Sequence, residues 1–237
     1  GEISKDSAPR TSLFLRLVSR DLGEPFADFR RRFEGLATEP NLIKLRENLG
    51  ELTESVYLMD RLVRDLVDTA AIESGILSLK EESFNLSTLL SEQISKRLHR
   101  LRGYRIQPEI PSAPVIVYRD KDRFAILVND MLDAAIRLSP RGGTILIRLY
   151  GEGSEIILAA ENRRASVPRN ETDSILDWLN ACLREKEGFE GVGIGLYRTY
   201  LTARIWGGHL EAATPAGGGV SFTLRIPNES LKVPGND

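Results

Sequence analysis

Ser19-Arg20-Asp21-Leu22-Gly23-Glu24-Pro25-Phe26 places a guanidinium, two carboxylates, a glycine and a proline inside a segment whose flanks carry a helical apolar pattern. A guanidinium stays protonated and has no lone pair to offer, so Arg20 cannot serve as a nucleophile. Asp21 is expected to pair with Arg20 or with a neighbouring charge. A second candidate is the run Gly191-Val192-Gly193-Ile194-Gly195-Leu196, which heads an apolar segment. Backbone amides at a helix N-terminus behind such a run can hold phosphate. The same glycines also allow tight helix–sheet packing. The chain has two histidines, His99 and His209, and one cysteine, Cys182. That scarcity excludes a disulfide framework and a multi-cysteine metal site, and no metal is expected.

The totals describe an ordinary soluble globular protein of 237 residues, 41% hydrophobic and 28% charged. A formal net charge of −2 sets up no field that would favour nucleic acid. No signal peptide and no bilayer-length apolar run is found, so a cytoplasmic location is expected. The abrupt start at Gly1 suggests a piece of a longer protein, with any membrane link lying in upstream segments.

Two helices must position the first stretch. Leu15, Val18, Leu22, Phe26, Phe29, Phe33 and Leu36 recur at intervals of three or four, one stripe of an amphipathic helix. Pro40 in the turn-like 37–41 stretch breaks it. Leu42, Leu45, Leu49, Leu52, Val56, Met59, Val63 and Leu66 then alternate strictly by three and four, a heptad seam. A helix from about residue 42 to 74 would be ~50 Å long. A short turn makes the two a hairpin. The second helix has more apolar width than one partner covers. A homodimeric four-helix bundle through Leu45, Leu49, Leu52, Val56, Met59 and Val63 is preferred; packing on the C-terminal part is the alternative.

Strand and helix patterns then alternate. Strands are expected at 105–110 and 113–120, a helix over 121–140, and a hairpin over 142–162 turned at 151–154. A helix over 175–186, a glycine-led helix after 191 and a terminal hairpin from 209 follow. The fold class is α+β: a helical hairpin, then a sandwich whose mixed, mostly antiparallel sheet carries helices on one face.

The stretches over 65–90, 118–149 and 191–227 resemble the core of bacterial sensor histidine kinases. The resemblance divides the chain into a dimerisation and histidine-phosphotransfer-like hairpin, 1–80, and an ATP-binding-like domain of the gyrase/Hsp90/MutL type, 81–237. It also permits a residue-by-residue check. In such kinases the first helix carries Ser-His-Glu-Leu-Arg-Thr-Pro, with the histidine as phosphoacceptor. Arg20 stands in the histidine's place, Asp21 in that of the helper carboxylate, and Glu24 in that of the residue that positions water for dephosphorylation. Gly23 and Pro25 mark the family's helix bend. In the motif Asn-Leu-Leu-x-Asn-Ala-Ile-Lys-Tyr-Thr-Pro, Asp130 takes the first asparagine and Ala134 the second, which ligates Mg²⁺. Ala134 has no oxygen to give. Asp133 is one step, about 100°, round the helix. In the first glycine-rich box, Asp-x-Gly-x-Gly-Ile-Pro, Glu161 is aligned with the adenine-binding aspartate. Arg163, Arg164 and Ala165 then stand where glycines belong. The second box survives as Gly191, Gly193 and Gly195.

These coincident losses imply a degenerate histidine kinase, a dimeric signalling scaffold without catalytic residues, with neither ATP nor Mg²⁺ favoured as cofactor. Its expected partners are a second copy and a response regulator or an active sensor kinase. Two alternatives stay open. One is nucleotide binding by an altered route. The other is ATP-independent phosphotransfer, for which the hairpin lacks a histidine.

Overall fold

In the computed structural model the described residues are 7–36, 41–98, 104–140, 142–165, 174–184, 192–215 and 218–228. Helix α1 (Ser7–Leu36) runs through Gly23 and Pro25 as one element. Pro25 has no N–H, so the Asp21 carbonyl loses its intrahelical donor there. Helix α2 (Leu42–Glu73) is capped by Asn41, whose side chain accepts from the amides of Ile43 and Lys44. Arg32 pairs with Glu51 near one end of the two helices. At the other end Phe14 and Glu73 meet the same side chain, Tyr197. The two helices are therefore antiparallel.

After the hairpin come β1 (Glu81–Asn85), α3 (Leu86–Leu98), β2 (Arg105–Glu109), β3 (Ile116–Asp120) and α4 (Lys121–Arg137). They continue with β4 (Thr144–Glu152), β5 (Glu155–Asn162), α5 (Ile175–Cys182), α6 (Gly193–Ile205), β6 (His209–Ala213) and β7 (Val220–Pro227). The main sheet has the order β2-β4-β5-β7-β6, antiparallel except for the parallel β2–β4 pair. Strands β1 and β3 form a separate antiparallel ribbon, so the elements do not join into the one sheet the pattern suggested. Alternation places Ile145, Ile147 and Leu149 of β4, and Val220, Phe222, Leu224 and Ile226 of β7, on the buried face. There they meet α4 and α6, with Trp178 of α5 edge-on to Phe222 and Trp206 stacked on Phe124.

The first helix buries a different face from the one its apolar spacing marked. Leu13, Phe14, Leu17 and Asp21 are buried, while Leu15, Phe26 and Phe33 are exposed. The buried face reaches the sandwich, and a carboxylate lies within it, which no apolar count would include. The second helix needs a correction at Leu52, buried inside the chain and so already covered. Among the other seam residues Leu49, Val56 and Val63 are exposed, whereas Leu45 and Met59 are partly buried. The seam therefore splits by position. One set, at seven-residue intervals from Leu42, faces outward; the alternate set is turned inward.

Candidate functional site

Helix α6 is the centre of the site. Residues on every side of it are buried: Ile194, Tyr197, Arg198, Leu201 and Thr202 among them. A helix covered all round needs partners on several sides. The sheet, α4 and α5 supply some of them, and both hairpin helices supply the rest. At its N-terminus Val192, in the cap position, makes no side-chain cap bond. The cap comes instead from α1. Asp21 accepts a hydrogen bond from the Ile194 amide at 2.9 Å, and its side chain is almost wholly buried. A carboxylate there also complements the positive end of the helix dipole.

The glycines make this approach possible. A Cβ on Gly193 would lie 2.5 Å from Leu17 Cδ2 and 3.4 Å from the Asp21 carboxylate. A Cβ on Gly195 would lie 3.1 Å from Asp130 Oδ1. The retained glycines thus hold α1 and α4 at backbone distance. Gly191 lies outside the described residues. Arg20 reaches across to donate to the Cys182 carbonyl at the end of α5, and Arg16 donates to Asn180 at 3.3 Å. The cavity left between Leu17, Arg20, Asp21, Trp178 and Gly193 is about 10 Å³, room for about one water molecule. Glu24 lies one turn further along α1; its side chain is outside the described residues.

A charge cluster locks the middle of α6. Arg198 grips Asp130 of α4 with two hydrogen bonds, Nε to Oδ2 at 2.9 Å and Nη2 to Oδ1 at 2.7 Å. Its third nitrogen bonds Asp65 of α2 at 2.7 Å and approaches Asp68 at 3.5 Å. Arg123 also pairs with Asp68. Burial pushes the Asp130 carboxyl up to about 6 against the pull of Arg198, with Asp65 and Asp133 adding to the rise. Burial by itself would lower the Arg198 pKa, yet Asp130 and Asp65 hold it above its ordinary value. The guanidinium therefore stays charged. Asp133 points elsewhere, pairing with Arg97 of α3 at 2.7 Å and Arg61 of α2 at 3.3 Å.

The end of β5 corrects one assignment. Leu146 pairs with Glu161 and Ile145 with Asn162, so these two β5 residues face opposite sides. Glu161 turns to the sheet face away from the helices, where it accepts from Arg148 and, at 2.7 Å, from Arg163. Asn162 is the inward residue, fully buried, donating to the Ala135 carbonyl at 3.2 Å and accepting from the Arg164 amide at 2.9 Å. A one-residue slip in a strand moves a side chain to the other face. Aligning the box from Asn162 restores a Val167-Pro168 match to its final Ile-Pro. The two-residue period of β5 was the signal that could have found this. Arg198 and Asp65 were missed for a different reason: neither belongs to a motif, and each acts through a tertiary contact.

The family's nucleotide group can be tested against these residues. Ala134 is buried and carries no oxygen. Asp130 is engaged by Arg198, and the Ile194 amide by Asp21. As arranged, these residues do not fit a Mg²⁺-bound triphosphate. Among the described residues no cluster of three or more His, Cys, Asp or Glu side chains could hold a metal ion. Of the two histidines, His209 lies on the open sheet face beside Glu211, and His99 is outside the described residues.

A two-helix hairpin followed by a sheet with α4 and α6 on one face is the architecture of a sensor kinase core. Residues 119–230 match the family described as histidine kinase-, DNA gyrase B- and HSP90-like ATPase. Sensor protein KdpD of Clostridium acetobutylicum is 22% identical over 222 residues, covering 92% of this chain and 25% of that protein. The circadian input-output histidine kinase CikA of Synechococcus elongatus is 26% identical over 196 residues, covering 80% of this chain and 26% of that one. Among solved structures, Acinetobacter baumannii histidine kinase AdeS superposes with a TM-score of 0.68 at 21% identity, covering 89% of this chain and 98% of that one. Histidine kinase ThkA in complex with response regulator TrrA gives 0.64 at 16% identity, covering 96% of this chain and 66% of that one. Residues 119–230 carry an ATP-binding domain of the HATPase type, and these likenesses support a sensor histidine kinase core. The chain spans about a quarter of the length of those two curated relatives. No helix among the described residues is long and apolar enough to cross a membrane.

Proposed function

We propose that this core does no phosphoryl transfer and acts as a signalling scaffold in a two-component pathway. The observation that carries the proposal is the contact between α1 and the glycine-led end of α6. There Asp21 takes the Ile194 amide and Arg20, in the phosphoacceptor's place, takes the Cys182 carbonyl. Catalysis needs a nucleophile with a free lone pair and donors free to stabilise the transferring group. In this arrangement the nucleophile's position holds a cation and a helix-end donor is already used. Loss of Mg²⁺ ligation at Ala134 points the same way.

The scaffold works as a dimer. Leu42, Leu49, Val56 and Val63 leave an exposed apolar row on α2, and Leu15, Phe26 and Phe33 add to the exposed apolar surface of α1. Such a contiguous patch is best buried by a second copy in a four-helix bundle. The hairpin then offers its outer surface to a response regulator or an active sensor kinase at the cytoplasmic end of the pathway. ThkA, whose solved complex holds a response regulator, supports that kind of partner.

The test is incubation with Mg²⁺ and γ-labelled ATP, followed by acid treatment. No labelled protein is expected. Acid-labile label on the chain would overturn the proposal. The Arg20→His variant is expected to stay unlabelled as well, because the nucleotide side is altered independently.

A further inference from the structure

The sheet face turned away from the helices is carpeted with ion pairs. Arg148 and Arg163 share Glu161, and Arg225 reaches Glu152 at 3.0 Å, with Glu155 and Glu211 at 3.7 Å. One corner breaks that pattern. Arg105 begins β2 and is the register partner of Thr144, so the two side chains share this face at the start of β4. Beside them, Arg164 follows the end of β5. Its backbone is fixed by the Asn162 side chain, which accepts from the Arg164 amide. Tyr104, Arg105, Gly142, Thr144 and Arg164 together line a recess of about 450 Å³. Neither Arg105 nor Arg164 has a carboxylate partner among the described residues, in contrast to Arg148, Arg163 and Arg225 on the same face. Two guanidiniums facing one recess repel each other unless an anion lies between them.

We propose that this corner binds a small phosphate-bearing ligand. Guanidinium forks match phosphate oxygens in paired hydrogen bonds, and they do so better than a single ammonium would. Thr144 adds a hydroxyl donor and Tyr104 a ring and a hydroxyl. The volume falls within the ~300–1,000 Å³ of small-molecule sites, so the ligand is nearer a mononucleotide than an orthophosphate ion in size. No residue of α4 or α6 lines the recess, which separates it from the altered kinase site. The proposal therefore stands whether or not the core transfers phosphate.

The experiment is calorimetric titration of the whole chain with pyrophosphate and, separately, with AMP at low ionic strength. Saturable binding of at least one is expected. It should weaken roughly tenfold or more in Arg105→Gln/Arg164→Gln and stay unchanged in Arg46→Gln, whose arginine lies on the hairpin. AMP binding more tightly than pyrophosphate would assign the recess to a nucleotide-like ligand; equal affinities would assign it to phosphate groups alone. Both side chains are exposed, so the double variant should melt with the wild type, and Arg105→Gln alone provides a second check on the edge strand. No saturable binding of either probe, or unchanged affinity in the arginine variants, would overturn the proposal.

Discussion

The ends of β5 and α6 differ in an instructive way. At β5, with the box aligned from Asn162, Arg164 stands in the place of the first glycine and lines an open corner, without a carboxylate partner among the described residues. At α6 Gly193 and Gly195 persist, yet the room they leave is filled by Leu17, Asp21 and Asp130. Keeping a glycine therefore does not preserve a ligand cradle. A missing Cβ serves a packed helix as well as it serves a phosphate, and only the neighbours decide which. Conversely, the end of β5 borders a recess although Arg164 stands where a glycine belongs.

The filled end can be broken in graded steps. Arg198→Ala should have the largest effect, about 3–5 kcal/mol of stability in urea unfolding, because it strands Asp130 in a buried site. Pairing it with Asp130→Leu should recover much of that loss, since no buried charge is then unpartnered. The pH profile sharpens the same point. The Asp130 pKa is raised in the folded state to about 6, against an unfolded value of about 3.9. Between those values the folded state binds the extra proton. This group's contribution therefore grows as pH falls from 6 toward 4 and is lost as pH rises through 6. Relative to Asp130→Asn, the wild type should gain stability over that window, opposite in sign to an ordinary ion-paired carboxylate.

Smaller effects are expected at the hairpin contact. Asp21→Ala should cost about 1–2 kcal/mol and speed amide exchange in the first turn of α6, where a cap is lost. Gly193→Ala should cost about 1–3 kcal/mol by pushing Leu17 off its seat. Least of all, Val56→Glu should change monomer stability by under about 0.5 kcal/mol, because the side chain is exposed. Its effect should appear instead in the oligomeric state measured by light scattering.

The sequence made the elements of the sandwich legible because their signals are local. Alternation marked β4, β5 and β7, whereas the Asn41 cap of α2 was not read in the turn over 37–41. The phase of α1 was not legible, since Asp21 lies in its buried face for the sake of an amide 173 positions away. Glu161 and Asn162 were misread rather than hidden. The Val167-Pro168 end of the motif already favours Asn162, and the pairing of β5 with β4 places Asn162 on the inward face. The separate β1–β3 ribbon was hidden: strand patterns say that a segment pairs, but not with which neighbour.

Tyr197 gives the hairpin a gauge. Its ring stacks on Phe14 of α1 at 5.9 Å between centroids, and its hydroxyl bonds Glu73 of α2 at 2.5 Å. One side chain thereby registers the relative height of the two helices. A one-turn slide between them, about 5.4 Å, could not keep both contacts. A signal arriving as such a slide would be converted at Tyr197 from a displacement along the hairpin into a choice between two grips on α6. It would need no change inside either helix.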